Sequence, residues 1–181
     1  LRGCKMFRRM SEFRPGANAF PDMAIKPTFT MDDVKARTDA FLDVVHDLQI
    51  EALQQLGEEC IKYARDDHPA NWQDQTGNLR SSIGYMVFEN GVAIHQSAFD
   101  QIPPKKPKKG DDVYKGGATG KELCESIGKG TKGLTLVVVA GMNYALAVES
   151  KGYNVLTGAE HFAERELPRM IAQLMSDIKR V

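Results

Sequence analysis

The sequence predicts an α+β fold, in which a long N-terminal helix and a C-terminal helix cover a small, mostly antiparallel sheet. Three observations support this prediction. Apolar residues recur at steps of three and four from residue 34 to residue 64, which indicates one long amphipathic helix. Strand-like segments follow, and two of them are joined by Asn90-Gly91, the strongest short signal for a hairpin. A second helical stripe runs from residue 162 to residue 178.

A single domain at residues 30–181 is predicted, preceded by an extended arm at residues 1–29. A chain of 181 residues has the length of one domain and buries about 70% of its unfolded surface, so it needs no disulfide or metal to fold. The apolar residues of the arm show no helical or strand periodicity, and the arm contains three prolines. Because Met23 is a natural start, residues 1–22 are either a non-native extension or an arm that orders against a partner subunit.

The first helix is expected to begin after Thr30, whose hydroxyl can cap it, and to end before Pro69. At 1.5 Å per residue, about 35 residues would make a rod of roughly 50 Å, which is long for this domain. Part of the helix is therefore expected to contact a neighbouring subunit. Gly57 is interpreted as a close contact or a bend within the helix.

Residues 76–83 are predicted to form a capped turn that leads from the first helix into the sheet. Thr76 is the expected N-cap, and Gly77 permits a backbone conformation that a side chain resists. Leu79 and Ile83 are four residues apart, so one helical turn directs both of them toward the core.

Strands are predicted near 83–89 and 92–97 and at Leu134–Ala140. The second is expected to be half-buried, because Val92 and Ile94 alternate with Ala93 and His95. The third is strongly β-branched and is expected to be central and buried on both faces. Residues 98–133 are interpreted as a Lys/Pro/Gly-rich loop insertion, within which 121–127 can form a short helix. The sequence pattern of residues 142–149 is compatible with either a helix or a strand.

The last helix is expected to begin at Thr157, with Glu160 completing a capping box. Pro168 removes one helical hydrogen bond, so a kink or a restart is expected there.

No residue pattern indicates an enzyme. Gly120-Lys121 resembles part of a phosphate loop, but the pattern requires a glycine where Lys115 stands and Ser or Thr where Glu122 stands. The four histidines lack metal-ligand spacing. Ser81 and Ser82 lack the Gly-x-Ser-x-Gly setting of a nucleophile. We therefore nominate no catalytic, cofactor-binding or metal-ligating residue, and we expect no cofactor.

The composition favours a protein of a reducing compartment. Lys+Arg and Asp+Glu number 24 each, so the total charge indicates no particular partner. Cys4, Cys60 and Cys124 form an odd, scattered set, unlike a disulfide framework. No apolar run reaches the roughly 20 residues that cross a bilayer. A cytoplasmic setting without a membrane partner is expected.

Four lysines in the predicted loop are candidates for contact with DNA or a partner. These are Lys105, Lys106, Lys108 and Lys109. Their ammonium groups attract phosphate with a salt-sensitive affinity. No aromatic residues lie between them, so binding would be to the backbone and non-specific. The alternative is a solvated, disordered loop.

The order of these parts resembles the tail-completion, or head–tail joining (neck), proteins of long-tailed bacteriophages. A long helix leads to residues 74–83, a hairpin and a variable loop follow, and Asn143-Tyr144-Ala145, Val148-Glu149 and Gly152 precede the last helix. The resemblance covers residues 30–181. It departs from the family in its long loop at 98–133 and in the entry to its last helix. The motif residues are Thr76, Gly77, Asn78, Leu79, Arg80, Ser82, Tyr144, Glu149 and Gly152.

The resemblance implies a non-enzymatic virion component that assembles as a homo-oligomeric ring at the head–tail junction. A hexamer is the candidate size. The implied neighbours are tail-terminator, tail-tube or connector proteins, and packaged DNA near the lysine loop; during assembly the protein would be in the host cytoplasm. The alternative function is a small, non-specific nucleic-acid-binding accessory protein that uses the lysine loop.

Overall fold

The computed structural model describes residues 28–67, 76–103 and 115–180. Its helices and strands confirm the α+β prediction. Residues up to Arg37 and residues from Thr38 onward form two compact units. In chain order the described elements are α1 (Met31–Lys62), a π-helical turn (Tyr63–Asp67), α2 (Asn78–Ser82), β1 (Ile83–Glu89), β2 (Val92–Gln96), α3 (Gly116–Gly128), β3 (Leu134–Ala140), α4 (Ala145–Glu149) and α5 (Thr157–Ile178).

In the first unit, Thr30 caps α1 as predicted. Its hydroxyl oxygen accepts a hydrogen bond from the backbone N–H of Asp33 at 3.2 Å. The Asp33 carboxylate in return accepts from the backbone N–H of Thr30 at 2.7 Å and from its hydroxyl at 2.8 Å. These hydrogen bonds, the backbone one foremost, lower the pKa of Asp33. The result is a reciprocal cap in which aspartate replaces the usual glutamate.

In the second unit, β1 is the central strand of the sheet. It pairs antiparallel with β2 on one side and with β3 on the other. Every residue of β1 except Glu89 is buried. The prediction that Leu134–Ala140 is central and buried on both faces is therefore wrong. That strand is an edge, and most of its side chains are only half-buried, because strand order depends on pairing between distant segments.

The hairpin between β1 and β2 forms as predicted. Asn90 and Gly91 both have positive φ, at 50° and 84°, as a two-residue turn of type I′ requires. The expected half-burial of β2 is wrong. Val92 is 65% exposed and Ile94 is 40% exposed, because β2 is the other edge strand. The pairing register between β1 and β2 shifts between Val87 and Phe88 of β1.

Helices lie on both faces of the sheet. On one face, Tyr85 and Val87 pack with Ile61 of α1. On the other, Met86 and Phe88 pack with Cys124 of α3. Residues 98–133 are therefore not one irregular loop, since α3 occupies thirteen of them and is longer than the predicted helix at 121–127. Within this region, residues 104–114 lie outside the described part of the chain.

The interpretation of Gly57 as a close contact is confirmed. A methyl group on Gly57 would lie 2.5 Å from the Tyr85 ring, so α1 approaches the sheet closely there. The π-helical turn after α1 also meets α5, because Tyr63 stacks on Phe162 with ring centroids 5.4 Å apart. The expected restart at Pro168 does not occur, as α5 continues through it. None of the described helices has the length and apolar character to span a membrane.

Candidate functional site

The first half of the family-like motif, residues 76–82, forms the short helix α2. Its N-cap is Gly77, in the left-handed conformation at φ 72°, which confirms the backbone role predicted for this glycine. The prediction of Thr76 as N-cap is wrong by one residue. Its hydroxyl oxygen accepts from the backbone N–H of Asn78 at 3.3 Å. Leu79 and Ile83 both enter the core, as predicted.

The serines of the motif are engaged in internal hydrogen bonds. Ser81 donates to the carbonyl oxygen of Gly77 at 2.7 Å and accepts from the backbone N–H of Ile102 at 2.8 Å. Ser82 donates to the carbonyl oxygen of Leu79 at 2.8 Å. Both serines are fully buried. Their hydroxyls therefore hold the chain in place and face no solvent.

Asn78 and Ser81 hold both flanks of residues 104–114 against α2. Ser81 binds the backbone of Ile102 on the preceding side. On the following side, the Asn78 side-chain oxygen accepts from the backbone N–H of Lys115 at 3.3 Å. The lysines Lys105, Lys106, Lys108 and Lys109 lie outside the described residues. Arg80 lies half-buried on the same short helix.

The glycines that resembled a phosphate loop are a packing surface of α3. Methyl groups on Gly116 and Gly120 would overlap the carbonyl oxygens of Asn78 and Ser82, respectively. One on Gly117 would overlap the carbonyl oxygen of Phe99. Because these glycines lack side chains, α3 lies directly on α2, and the motif helix is enclosed between α3 and the core.

Glu149, in the second half of the motif, caps α5. Its carboxylate accepts from the backbone N–H groups of Val155 at 2.9 Å, Leu156 at 2.8 Å and Thr157 at 3.3 Å. Burial of Glu149 opposes its ionisation, but hydrogen bonds from the Thr157 hydroxyl and from these backbone groups outweigh burial and lower its pKa. A carboxylate at a helix N-terminus is also stabilised by the helix dipole.

The predicted capping box of Thr157 and Glu160 is therefore wrong. Thr157 is the first residue inside α5, and the N-cap position belongs to Leu156, which makes no side-chain capping bond. Asn154 completes the cap, since its side-chain oxygen accepts from the backbone N–H of Gly158 at 2.6 Å. The capping groups precede the helix by several residues, so a short local pattern does not reveal them.

The remaining motif residues shape the turn around α4. Gly152 has φ 79°, and its N–H donates to the carbonyl oxygen of Glu149 at 2.9 Å. Tyr144 is the N-cap residue of α4 and is partly exposed. Leu146, on α4 itself, is 78% exposed. The motif residues are thus mainly scaffolding, partly or fully buried around α2 and more exposed around α4.

A polar cluster that the sequence did not reveal joins α1 to the hairpin. The Tyr85 hydroxyl donates to Glu58 Oε1 at 3.0 Å and accepts from His95 Nε2 at 3.1 Å. Burial and the nearby Glu58 carboxylate raise the pKa of Tyr85, so the hydroxyl stays protonated. Nearby, His46 Nε2 lies 3.0 Å from Glu89 Oε1. These contacts tie three elements together.

The described residues offer no centre for metal or thiol chemistry. They contain no group of three or more His, Cys, Asp and Glu side chains that could hold a metal ion. Cys60 and Cys124 are buried, and burial raises the pKa of each thiol to about 11. The thiolate, which is the reactive form, is therefore scarce at neutral pH.

Large apolar side chains are exposed on α1 and α5. In the second unit, those on α1 are Phe41, Leu42 and Val44, and those on α5 are Leu167, Ile171 and Met175. An open apolar groove of about 300 Å³ lies between the two helices. Its lining comes from Gln49, Ala52, Leu53 and Leu56 of α1, Leu134 of β3, and Leu167, Met170, Ile171 and Leu174 of α5. This surface is the best candidate for a functional site.

Comparison of the chain with protein-family models, curated proteins and solved structures found no match.

Proposed function

We propose that this chain is a non-enzymatic assembly protein of a bacteriophage virion, placed at the head–tail junction. It forms a ring of identical subunits and docks onto tail or connector proteins. The order of elements and motif residues supports this proposal by its resemblance to the tail-completion proteins. The exposed apolar surface of the long first helix is the observation that carries it.

The second unit covers only the C-terminal part of α1. The buried residues of α1 are confined to Leu56, Gly57, Cys60 and Ile61. Within the second unit, every side chain from residue 38 to residue 44 is exposed. Exposed apolar surface disfavours the isolated subunit by roughly 25 cal/mol per Å² relative to burial. Contact with another subunit or a virion partner removes this surface from water.

The interior of the domain supports a role based on shape. The motif residues around α2 are enclosed by α3, and Glu149 fixes the start of α5. The polar groups described above bond mainly to backbone, and so they hold elements in place. A domain that presents α5 and the part of α1 from Thr38 onward in fixed positions is suited to repeated docking between identical subunits.

The direct test is to image the purified protein by negative-stain electron microscopy, alone and with purified tail tubes of a long-tailed phage that carries this gene. Sedimentation velocity on the same samples measures mass. We expect rings, either free or capping one end of the tubes. A protein that stays monomeric in both samples and leaves the tube ends bare would overturn the proposal.

A second candidate function is non-specific nucleic-acid binding through Lys105, Lys106, Lys108 and Lys109. The observation that favours it is that Ile102 and Lys115, on either side of residues 104–114, are hydrogen-bonded to Ser81 and Asn78 of α2. The lysines themselves lie outside the described residues, so this function stays a prediction from sequence.

A further inference from the structure

We propose that residues 38–47 of α1 in one subunit dock along residues 167–180 in the next subunit, which are the end of α5 and the two residues after it. The contact joins two different surfaces, so it is head-to-tail. This inference rests on the proposed assembly into a ring and identifies the surfaces that form it.

The apolar part of the contact has exposed apolar side chains on each side. On α1, Phe41, Leu42 and Val44 are exposed, and Leu42 reaches 56% exposure. On α5, Leu167, Ile171 and Met175 are exposed at steps of four residues, which places them on one side of the helix. Ile171 is 51% exposed and is also part of the lining of the apolar groove.

Exposed apolar side chains that border a groove mark an interaction site. The groove between α1 and α5 is open and about 300 Å³ in volume. Side chains of a neighbouring amphipathic helix fit such a groove, as in other helix-in-groove contacts.

Charge decides which helix the occupant is. Residues 38–47 contain Asp39, Asp43 and Asp47 and no lysine or arginine, for a formal charge of −3 with neutral histidine. Residues 166–180 contain Arg169, Lys179 and Arg180 against Glu166 and Asp177, for a formal charge of +1. Arg169 pairs with Glu166 at 2.9 Å and Arg180 with Asp177 at 3.3 Å, so Lys179 is the cation left over for a neighbour. Opposite charge favours docking of the α1 segment on α5 and raises the rate of encounter.

The same charges disfavour a two-fold dimer through α1 alone. Where residues 38–47 of two copies face each other, Asp39, Asp43 and Asp47 lie opposite their own copies. Like charges in an interface are repulsive. A head-to-tail contact avoids this repulsion and, when the rotation between subunits closes, generates a ring.

The test uses one blocking variant on each surface. Leu42→Asp blocks the α1 side, Ile171→Asp blocks the α5 side, and both positions are exposed enough to leave the fold intact. Leu146→Asp, on the exposed turn of α4, is the matched control. Circular dichroism melts verify that each variant is folded, and sedimentation velocity over a concentration series measures assembly.

We expect wild type and Leu146→Asp to form species larger than dimers. Each blocking variant alone should be monomeric. An equal mixture of the two blocking variants should stop at dimers, because Ile171→Asp still offers its intact α1 segment to the intact α5 of Leu42→Asp. Replacing Asp39 and Asp43 by lysine should weaken assembly by about tenfold, and adding Lys179→Glu and Arg180→Glu should restore it.

Each contrary result has a separate meaning. If both blocking variants enter rings as wild type does, the docking surfaces are wrong and the proposed function stands. If wild type stops at dimers, the head-to-tail contact is wrong. If wild type forms no assembly, alone or on tail tubes, both the inference and the proposed function are overturned.

Discussion

Glu149 Oε2 accepts a hydrogen bond from the backbone N–H of Leu156 at 2.8 Å, and this contact fixes where α5 begins. The same carboxylate binds the backbone N–H groups on either side of Leu156. One side chain thus satisfies three donors at the start of a helix, where backbone N–H groups have no partner within the helix.

Glu149→Gln should therefore destabilise the protein by about 1–2 kcal/mol, since helix caps contribute roughly that amount. Urea unfolding monitored by circular dichroism measures the change. The matched control is Glu160→Gln, which alters the carboxylate that the sequence pattern assigns to a capping box. Since Glu160 is exposed, we expect an effect within about 0.5 kcal/mol. Equal effects of the two changes would refute the capping role of Glu149.

The stabilisation by Glu149 should depend on pH. Its pKa is lower in the folded protein than in the unfolded chain, so the folded state holds a proton less readily. The contribution is then fully present above the unfolded pKa, about 4.3, and disappears as the pH falls through the folded pKa. The difference in unfolding free energy between wild type and Glu149→Gln should shrink as pH is lowered from 6 towards and below about 4. A difference that stays constant would contradict this.

Gly120→Ala should destabilise the protein by about 1–3 kcal/mol, as overpacking of a closed contact does. The added methyl group overlaps the carbonyl oxygen of Ser82. Because this oxygen belongs to the backbone of α2, the overlap is relieved only if α2 or α3 shifts. Gly130→Ala is the matched control, because its nearest neighbour, the carbonyl oxygen of Ile127, would lie 4.0 Å away. Thermal melts compare the two variants. If Gly120→Ala melts as Gly130→Ala does, α3 does not lie directly on α2.

Tyr85→Phe should cost about 1 kcal/mol, because it removes hydrogen bonds to Glu58 and His95 while leaving the ring in place. Denaturant unfolding measures this change. Tyr153→Phe, at a partly exposed tyrosine, serves for comparison and should change stability by less than about 0.5 kcal/mol. A Tyr85→Phe protein as stable as wild type would show that the polar cluster contributes nothing net.

The second candidate function predicts that the protein is retained on double-stranded DNA at low salt. Replacing Lys105, Lys106, Lys108 and Lys109 by alanine should abolish retention and flatten its dependence on salt, because these ammonium groups release counterions from phosphate. Mobility shifts at several salt concentrations measure both effects. Lys121→Ala, an exposed lysine of α3, is the control. If the wild-type protein is not retained on DNA at low salt, the nucleic-acid-binding function is refuted.

The sequence identified the motif residues, although it did not reveal their roles. The stretch at 76–83 was placed correctly between helix and sheet, and the length of α1 suggested an outside contact. Glu149 was singled out only by resemblance. The carboxylate lies eight residues before Thr157, so no capping pattern of three or four residues includes it. The exposure of Ile171 and Met175 also escaped prediction, because a helical stripe does not show which of its members are covered.

The sequence by itself determined the features that depend on neighbours along the chain. These include the helix that follows Thr30, the turn at Asn90-Gly91 and the left-handed conformation of Gly77. Only the tertiary structure decided that β1, and not the more β-branched β3, is central, and that the glycines of α3 are contact points for α2. Strand order and helix contacts depend on which distant segments bury each other's surface, and a local pattern of residues carries no information about that choice.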